Sequence, residues 1–205
     1  MTLFDFFQAE ELPVPAITAD QAREIVFTDK ETAKKTRRGL FGFSFPKLGG
    51  IFGGDEDEAI AGLLHDSVED CGGMARAADV RARFGDRVAD IVLGCSDSTD
   101  ERWKASVGYW TRKRSYLDHL AKADDATLRV SLSDKVHNAR SIATDLQRYG
   151  VDVLQKFNAP PRRILAYYRG CAKIGKRRSV SPALLKPLRT AVDTIEAYVE
   201  YERSK

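Results

Sequence analysis

The stretch from residue 55 to residue 70 constrains the fold of this chain more than any other. Asp55 is placed to cap the amino end of a helix there, and Glu58, three residues later, completes a capping-box-like arrangement. Gly72 and Gly73 would end the helix. Apolar residues recur at helical spacing and predict its buried face: Ala59, Ile60, Leu63, Leu64 and Val68.

Polar side chains occupy neighbouring faces of the same predicted helix. His65 and Glu69 stand four residues apart, as do Asp66 and Asp70, so about one helical turn separates the members of each pair. A neutral imidazole nitrogen and a carboxylate oxygen suit a divalent metal, and a carboxylate one turn further on can deprotonate a bound water. An exposed, solvated polar face is the alternative interpretation, because a His-Asp dipeptide alone is common.

A second helix of the same kind is predicted over residues 126–149, with Asp125 as its cap. Asp134, His137 and Asn138 share one face of it, because they stand at positions i, i+3 and i+4. An ion pair with a nearby Lys or Arg is the alternative role for the Asp134 carboxylate. The buried stripe of this helix would comprise Leu128, Leu132, Val136, Ala139, Ile142, Ala143 and Leu146.

The rest of the chain also lacks strand patterns and internal repeats, so an all-α fold is predicted. We predict that residues 1–17 form an irregular lead-in and that residues 18–175 form a helical domain. Within that domain, residues 39–54 are rich in Gly and Phe and predict a loop pinned by aromatic side chains or a partly disordered segment. Residues 176–205 predict a basic loop and a C-terminal helix packed on the domain. Further helices are predicted over residues 74–84 and 103–121, and a third follows Asp86 as its cap. Two more are predicted to begin after Pro161 and at Ser181 and Pro182.

Composition narrows the functional classes. The 33 Lys and Arg against 30 Asp and Glu give a net charge of only +3, which argues against a dedicated nucleic-acid binder but allows local basic patches that hold phosphate. Cys71, Cys95 and Cys171 form no C-x-x-C pair, so we expect neither a disulfide framework nor a zinc knuckle, and a reducing cytoplasm fits best. The amino terminus lacks a basic region before its apolar residues, and no apolar stretch approaches membrane-spanning length, so we expect no membrane partner.

Two segments taken together resemble the HD-domain phosphohydrolases. These are residues 61–70, with the sequence AGLLHDSVED, and residues 132–140, with the sequence LSDKVHNAR. They are most similar to the hydrolase domain of RelA/SpoT homologues and to the small alarmone hydrolases, and the likeness extends from about residue 55 to about residue 168. The resemblance implies an HD-domain helical bundle with a C-terminal helical extension. It also implies divalent-metal-dependent hydrolysis of a guanosine polyphosphate, in the manner of a (p)ppGpp 3′-pyrophosphohydrolase.

The resemblance assigns roles to individual residues. His65, Asp66 and Asp134 match positions that hold Mn²⁺ in that family. Glu69 and Asp70 match the pair that supports the attacking water. A guanine nucleotide is therefore the expected ligand, and the residues that the resemblance places near its phosphates or ribose are Arg112, Lys113 and Asn138.

The first metal ligand of that family has no counterpart in this chain. The family carries a His on a helix upstream of the His-Asp pair, whereas here no His precedes His65, and ungapped counting places Phe41 at that position. We therefore expect Mn²⁺ to bind weakly or to be absent, and hydrolysis to be impaired. The alternative function is a catalytically inactive HD-fold nucleotide-binding or interaction protein, in which the aromatic residues of 40–52 serve a partner or a homodimer.

Overall fold

The structure is a computed structural model that describes residues 54–70, 73–97, 103 and 106–203, without the side chains of Asp70 and Arg203. Within these ranges it contains eight α-helices, one 3-10 helix and no strand, so the all-α prediction is confirmed. The predicted lead-in and residues 39–53 of the Gly/Phe-rich segment lie outside the described residues. The helices are α1 (Glu56–Leu64), α2 (Ser67–Asp70), α3 (Gly73–Phe84), α4 (Asp86–Cys95), α5 (Tyr109–Leu120), α6 (Asp125–Tyr149), the 3-10 helix (Val151–Lys156), α7 (Pro161–Arg177) and α8 (Pro182–Arg203).

Helix α6 packs against more of the other elements than any other helix does. It contacts α1 and α4 on one side, and the 3-10 helix, α7 and α8 on the other. Val130 belongs to the apolar core that α6 shares with α1 to α4, whereas Leu128 and Leu132 belong to the core shared with α5, α7 and α8. No residue between Ala126 and Ala139 is exposed, so every polar group in this half of α6 needs a partner inside the protein.

The predicted cap of α6 is wrong by one residue. Asp124, rather than Asp125, holds the N-cap position, and its carboxylate accepts hydrogen bonds from the backbone N–H groups of Ala126 and Thr127, each at 2.9 Å. Asp125 is the first helical residue and instead pairs with Arg178 at 2.7 Å.

The single helix predicted over residues 55–70 is interrupted. Asp55 caps α1 as predicted, because its carboxylate accepts the backbone N–H of Glu58 at 3.1 Å. The chain then turns at His65 and Asp66 before α2 begins at Ser67. This turn places the two polar residues at a helix end, next to α6, rather than along a continuous helical face.

Glu58 does not complete a capping box. Its carboxylate is 1% exposed and receives two hydrogen bonds from Arg129, at 2.8 and 2.7 Å, and Arg87 lies 3.6 Å away. Glu58 belongs to α1 and Arg129 to α6, so this bidentate ion pair joins the helix that ends just before His65 to the helix that carries Asp134.

Three other predicted helix ends differ from the structure. Gly85, with φ of +89°, is the N-cap of α4, and Asp86 is its first residue and pairs with Arg81. The regular part of the helix predicted over residues 103–121 begins only at Tyr109. Residues 176 and 177, predicted as a loop, still belong to α7, whereas the predicted start of α8 at Pro182 is confirmed. None of the helices in the described ranges combines the length and apolar character needed to cross a bilayer.

Candidate metal centre

His65 is oriented by the backbone of its own helix. Its Nδ1 lies 2.8 Å from the carbonyl oxygen of Gly62, and because a carbonyl only accepts, Nδ1 carries a proton. Its Nε2 lies 3.0 Å from Oδ2 of Asp66 and 3.4 Å from Oδ1 of Asp134. In the neutral imidazole this arrangement leaves the Nε2 lone pair directed at the carboxylates, which is the tautomer that a metal requires.

Asp134 is a buried carboxylate with several partners. Asn138, one turn further along α6, donates its Nδ2–H to Oδ1 at 2.8 Å, and the ammonium of Lys135 lies 2.5 Å from Oδ2. Burial raises the pKa of Asp134, but Lys135 and His65 lower it by more, so the pKa lies well below its usual range. Asp134 is therefore ionised, and the ion pair considered as its alternative role is present in the structure.

The pKa of His65 is also displaced. Burial lowers it, but the carboxylates of Asp134 and Asp66 raise it by more, to about 10. In the absence of a metal, His65 is therefore an imidazolium that shares its charge with both carboxylates. A divalent cation held by the same atoms would take the place of that proton.

Glu69 is connected to Lys113 through Asp97. Oε2 of Glu69 accepts the backbone N–H of Asp97 at 3.1 Å, and the Asp97 carboxylate accepts from the Lys113 ammonium at 2.6 Å. The carboxylate of Asp97 is only 5% exposed. The Lys113 ammonium also lies 5.8 Å from the ring centre of Tyr109 and 5.3 Å from that of Tyr167. The predicted water-positioning carboxylate and the predicted phosphate-binding lysine thus belong to one connected cluster.

Arg112 and Asp70 are the remaining predicted site residues. The Nε atom of Arg112 is buried and has no hydrogen-bond partner among the described residues. Asp70 is the last residue of α2, and its side chain lies outside the described part of the chain. The roles of all these residues stay predictions.

Asp97 and Lys135 were not predicted from the sequence, but Asp97 contacts Glu69 and Lys113, and Lys135 contacts Asp134. Asp97 follows α4 in a polar stretch that reads as an ordinary turn. Lys135 is directly next to Asp134, in a stretch of α6 that is otherwise small, apolar or already assigned to the site. The only signal for Lys135 is that a helix buried on all sides forces a lysine to find an internal partner.

The donor types at the end of α1 fit a divalent metal only as a partial site. An imidazole nitrogen of the correct tautomer and two carboxylates are chemically suitable ligands. In the ranges that the structure describes, however, no three His, Cys, Asp or Glu side chains form a group close enough to hold an ion. His65 is close to Asp66 and to Asp134, so the site contains two pairs of metal ligands that share His65 and not a complete ligand set.

Comparison with known families identifies the domain. A family model described as an HD domain matches residues 47–158, which is more than half of the chain. The chain belongs to the HD domain family. Members of this family generally bind divalent metals, and membership suggests a metal-dependent phosphohydrolase.

The fold of this HD domain is similar to that of a solved structure. The 1.85 Å crystal structure of lmo0812 from Listeria monocytogenes EGD-e matches with a TM-score of 0.60 and 24% sequence identity. The match covers 74% of this chain and 92% of that protein, and at this identity it supports the fold alone. No curated protein matches the chain.

Proposed function

We propose that this HD domain is a divalent-metal-dependent hydrolase that removes the 3′-pyrophosphate from a guanosine polyphosphate such as (p)ppGpp. The observation that carries the proposal is the contact of His65 with Asp134, although the two residues lie 69 positions apart in the sequence. Glu69 and Lys113 support it, because both contact Asp97. The choice of nucleotide comes from the resemblance of the two sequence motifs described above.

His65, Asp66 and Asp134 would hold the metal, with Mn²⁺ as the proposed ion. When bound, the ion supplies Lewis acidity toward phosphate oxygens and toward water. Asn138 and Lys135 hold the Asp134 carboxylate in place and ionised through their hydrogen bonds.

Glu69 and Asp70 are the proposed groups that orient the attacking water and accept its proton. Glu69 is anchored by the N–H of Asp97, which fixes one carboxylate oxygen. A carboxylate of this kind contributes to hydrolysis by removing the proton as the oxygen attacks phosphorus.

Lys113 and Arg112 are the proposed cations for the substrate phosphates. The Lys113 ammonium is already held by Asp97 and by two aromatic rings, so its position does not depend on bound substrate. Asn138 is proposed to contact the ribose or a phosphate, and its amide is oriented by Asp134. A cationic side chain that is already held in position loses less conformational entropy when a polyphosphate binds to it.

The competing function is a catalytically inactive HD-fold module that binds a nucleotide or a partner protein. It is favoured by the absence of a His before His65 and by the lack of a three-ligand group among the described residues. Calorimetry separates the two functions. Nucleotide binding without added metal favours the inactive module, whereas nucleotide binding that requires Mn²⁺ favours the hydrolase.

The deciding experiment measures pyrophosphate release from ppGpp with added Mn²⁺. The wild type is expected to release pyrophosphate, and Glu69→Gln to lower the rate by about a hundredfold or more, because it removes the proton acceptor. Asp193→Asn is the matched control, since Asp193 is exposed on α8 and has no assigned role in the site. If the wild type releases no pyrophosphate, or if Glu69→Gln behaves like Asp193→Asn, the hydrolase assignment fails.

A further inference from the structure

Every exposed position of helix α7 carries a positive charge. The helix contains no Asp or Glu, and its apolar residues are buried in the core that it shares with α6 and α8. The exposed residues, which together form the α7 basic face, are Arg162, Arg163, Arg169, Lys173, Lys176 and Arg177.

Most of these charged side chains have no partner among the described residues. Arg169 pairs with Glu196 of α8, but the other five side chains make no ion pair or side-chain hydrogen bond with any described residue. Their spacing also adds repulsion, because Lys173 stands four residues from Arg169 and from Arg177.

The helix dipole explains only part of the pattern. Basic residues in the last turn, such as Lys176 and Arg177, are stabilised by the negative end of the dipole. Arg162 and Arg163 lie in the first turn, which has no acidic residue, so they face the positive end. The α7 basic face therefore contains charges that folding of this helix disfavours.

We propose that the α7 basic face binds the phosphate backbone of a nucleic-acid duplex without reading its sequence. Arg177 lies 15 residues after Arg162 (177 minus 162), so the two are separated by about 22 Å along the helix axis, which matches about six phosphates along one strand. The whole-chain charge of +3, which argues against a dedicated nucleic-acid binder, averages over acidic segments such as the first turn of α1 and so conceals this local concentration.

Other polyanions fit this surface less well. A helix that binds a membrane surface inserts an apolar face, but the apolar face of α7 is buried in the protein core. Single-stranded nucleic acid is held largely by stacking on aromatic side chains, and the exposed positions of α7 include no aromatic residue. A duplex, which presents phosphates and hides its bases, matches a face of guanidinium and ammonium groups alone.

The α7 basic face is separate from the candidate metal centre. Tyr167, which lies against Lys113, belongs to the buried side of α7, and no exposed residue of α7 has an assigned role in hydrolysis. Duplex binding can therefore be tested independently of the proposed enzyme activity.

The test compares two variants of equal charge in the full chain. Each replaces four exposed basic residues by Gln, so that the net charge changes from +3 to −1 (3 minus 4). The substitutions on the α7 basic face are R162Q, R163Q, K173Q and K176Q. The matched control changes exposed residues of α5, α6 and the turn between them that have no ion pair with any described residue, namely R114Q, K122Q, R140Q and R148Q.

Fluorescence anisotropy with labelled RNA and DNA duplexes of about 20 base pairs would measure affinity across a salt series. The wild type is expected to bind with a slope of log affinity against log salt of about −4.5, because each of the five unpaired charges contacts a phosphate and contributes about −0.9 to the slope. The α7 variant should lose about tenfold or more in affinity at low salt and most of the slope, whereas the control should keep the slope.

Several results would overturn the proposal. These are no salt-dependent binding by the wild type, equal losses in the two variants, and tighter binding to a single-stranded oligonucleotide or to anionic phospholipid vesicles than to duplex. Melting curves by circular dichroism verify that both variants are folded. If the α7 variant unfolds, the paired substitution R162Q/R163Q alone, at the exposed start of the helix, must still reduce the slope by about 2.

Discussion

The ion pair between Glu58 and Arg129 offers a sharp test of how the two halves of the site are held together. Glu58 is almost completely buried, whereas Arg129 is 30% exposed. Replacing Arg129 by Met would leave a carboxylate inside the protein with only Arg87, 3.6 Å away, as a charged partner. Replacing Glu58 by Gln would leave a guanidinium that water can still reach. We therefore expect the two substitutions to have unequal costs.

The expected magnitudes follow from burial. Breaking a buried ion pair by removing one partner costs about 3 to 5 kcal/mol, and the remaining contact with Arg87 places Arg129→Met near about 3 kcal/mol. Glu58→Gln keeps the shape and one acceptor oxygen, so about 1 to 2 kcal/mol is expected. For a chain of this length these losses correspond to falls in Tm of about 6 to 12 °C and about 2 to 8 °C.

Urea unfolding followed by circular dichroism measures both losses, provided that the slope against urea stays unchanged. The double variant should be more stable than the sum of the single losses predicts, because it leaves no unpaired buried charge. Arg81→Met, which removes ion pairs with the exposed Asp86 and Asp90, is the control and should leave the free energy of unfolding almost unchanged. Equal losses for Glu58→Gln and Arg129→Met, or losses no larger than that of the control, would refute the reasoning.

Three further predictions concern packing, capping and thiol chemistry. Gly94→Ala should destabilise the fold by about 1 to 3 kcal/mol in urea unfolding, because its Cβ would lie 2.6 Å from Cγ2 of the buried Thr127, whereas Gly108→Ala meets nothing within 4 Å and should cost less. Asp124→Ala should cost about 1 kcal/mol at neutral pH. Burial raises the pKa of Asp124, but hydrogen bonds from Thr127 and Ala126 lower it by more, so the pKa lies below its ordinary value. The contribution of Asp124 is therefore present above the unfolded-state pKa, and the difference between wild type and variant should vanish as the pH falls through the folded-state pKa. Burial raises the pKa of Cys95 and of Cys171 to about 12. A Cys71→Ser variant should therefore show no reaction with an aromatic disulfide reagent at about pH 8 until denaturant is added, and rapid reaction of the folded protein would contradict this burial.

The helices could be predicted from the sequence because their apolar residues follow the helical period, but several of their ends could not be placed to the residue. Asp124 and Asp125 are both able to cap α6, and Asp86 is as good a cap by type as Gly85. The choice depends on pairings such as that of Asp125 with Arg178, which lie far apart in sequence. Local patterns carry no information on such contacts.

The candidate site could likewise be predicted only in part from the sequence. The closeness of His65 to Asp66 and Asp134 was expected from the two motifs, since each motif carries its polar residues beside an apolar stripe. The turn at His65 was not expected, because nothing in the local sequence breaks the helical pattern there. Asp97 and Lys135 were missed because their partners come from other elements or from burial of the whole of α6, neither of which a sequence pattern reports.

The central claim is that this HD domain holds a divalent metal through His65, Asp66 and Asp134. Calorimetric titration of Mn²⁺ into the wild type and into Asp134→Asn tests it directly. We expect the wild type to bind a single Mn²⁺ weakly, so that dialysis removes it, because the chain lacks the upstream His and because removing even supporting groups weakens metal sites by about 10 to 100-fold. Asp134→Asn should abolish the binding heat. Equal Mn²⁺ binding by the wild type and Asp134→Asn would contradict the claim, and stoichiometric Mn²⁺ that survives dialysis would contradict the expected weakness of the site.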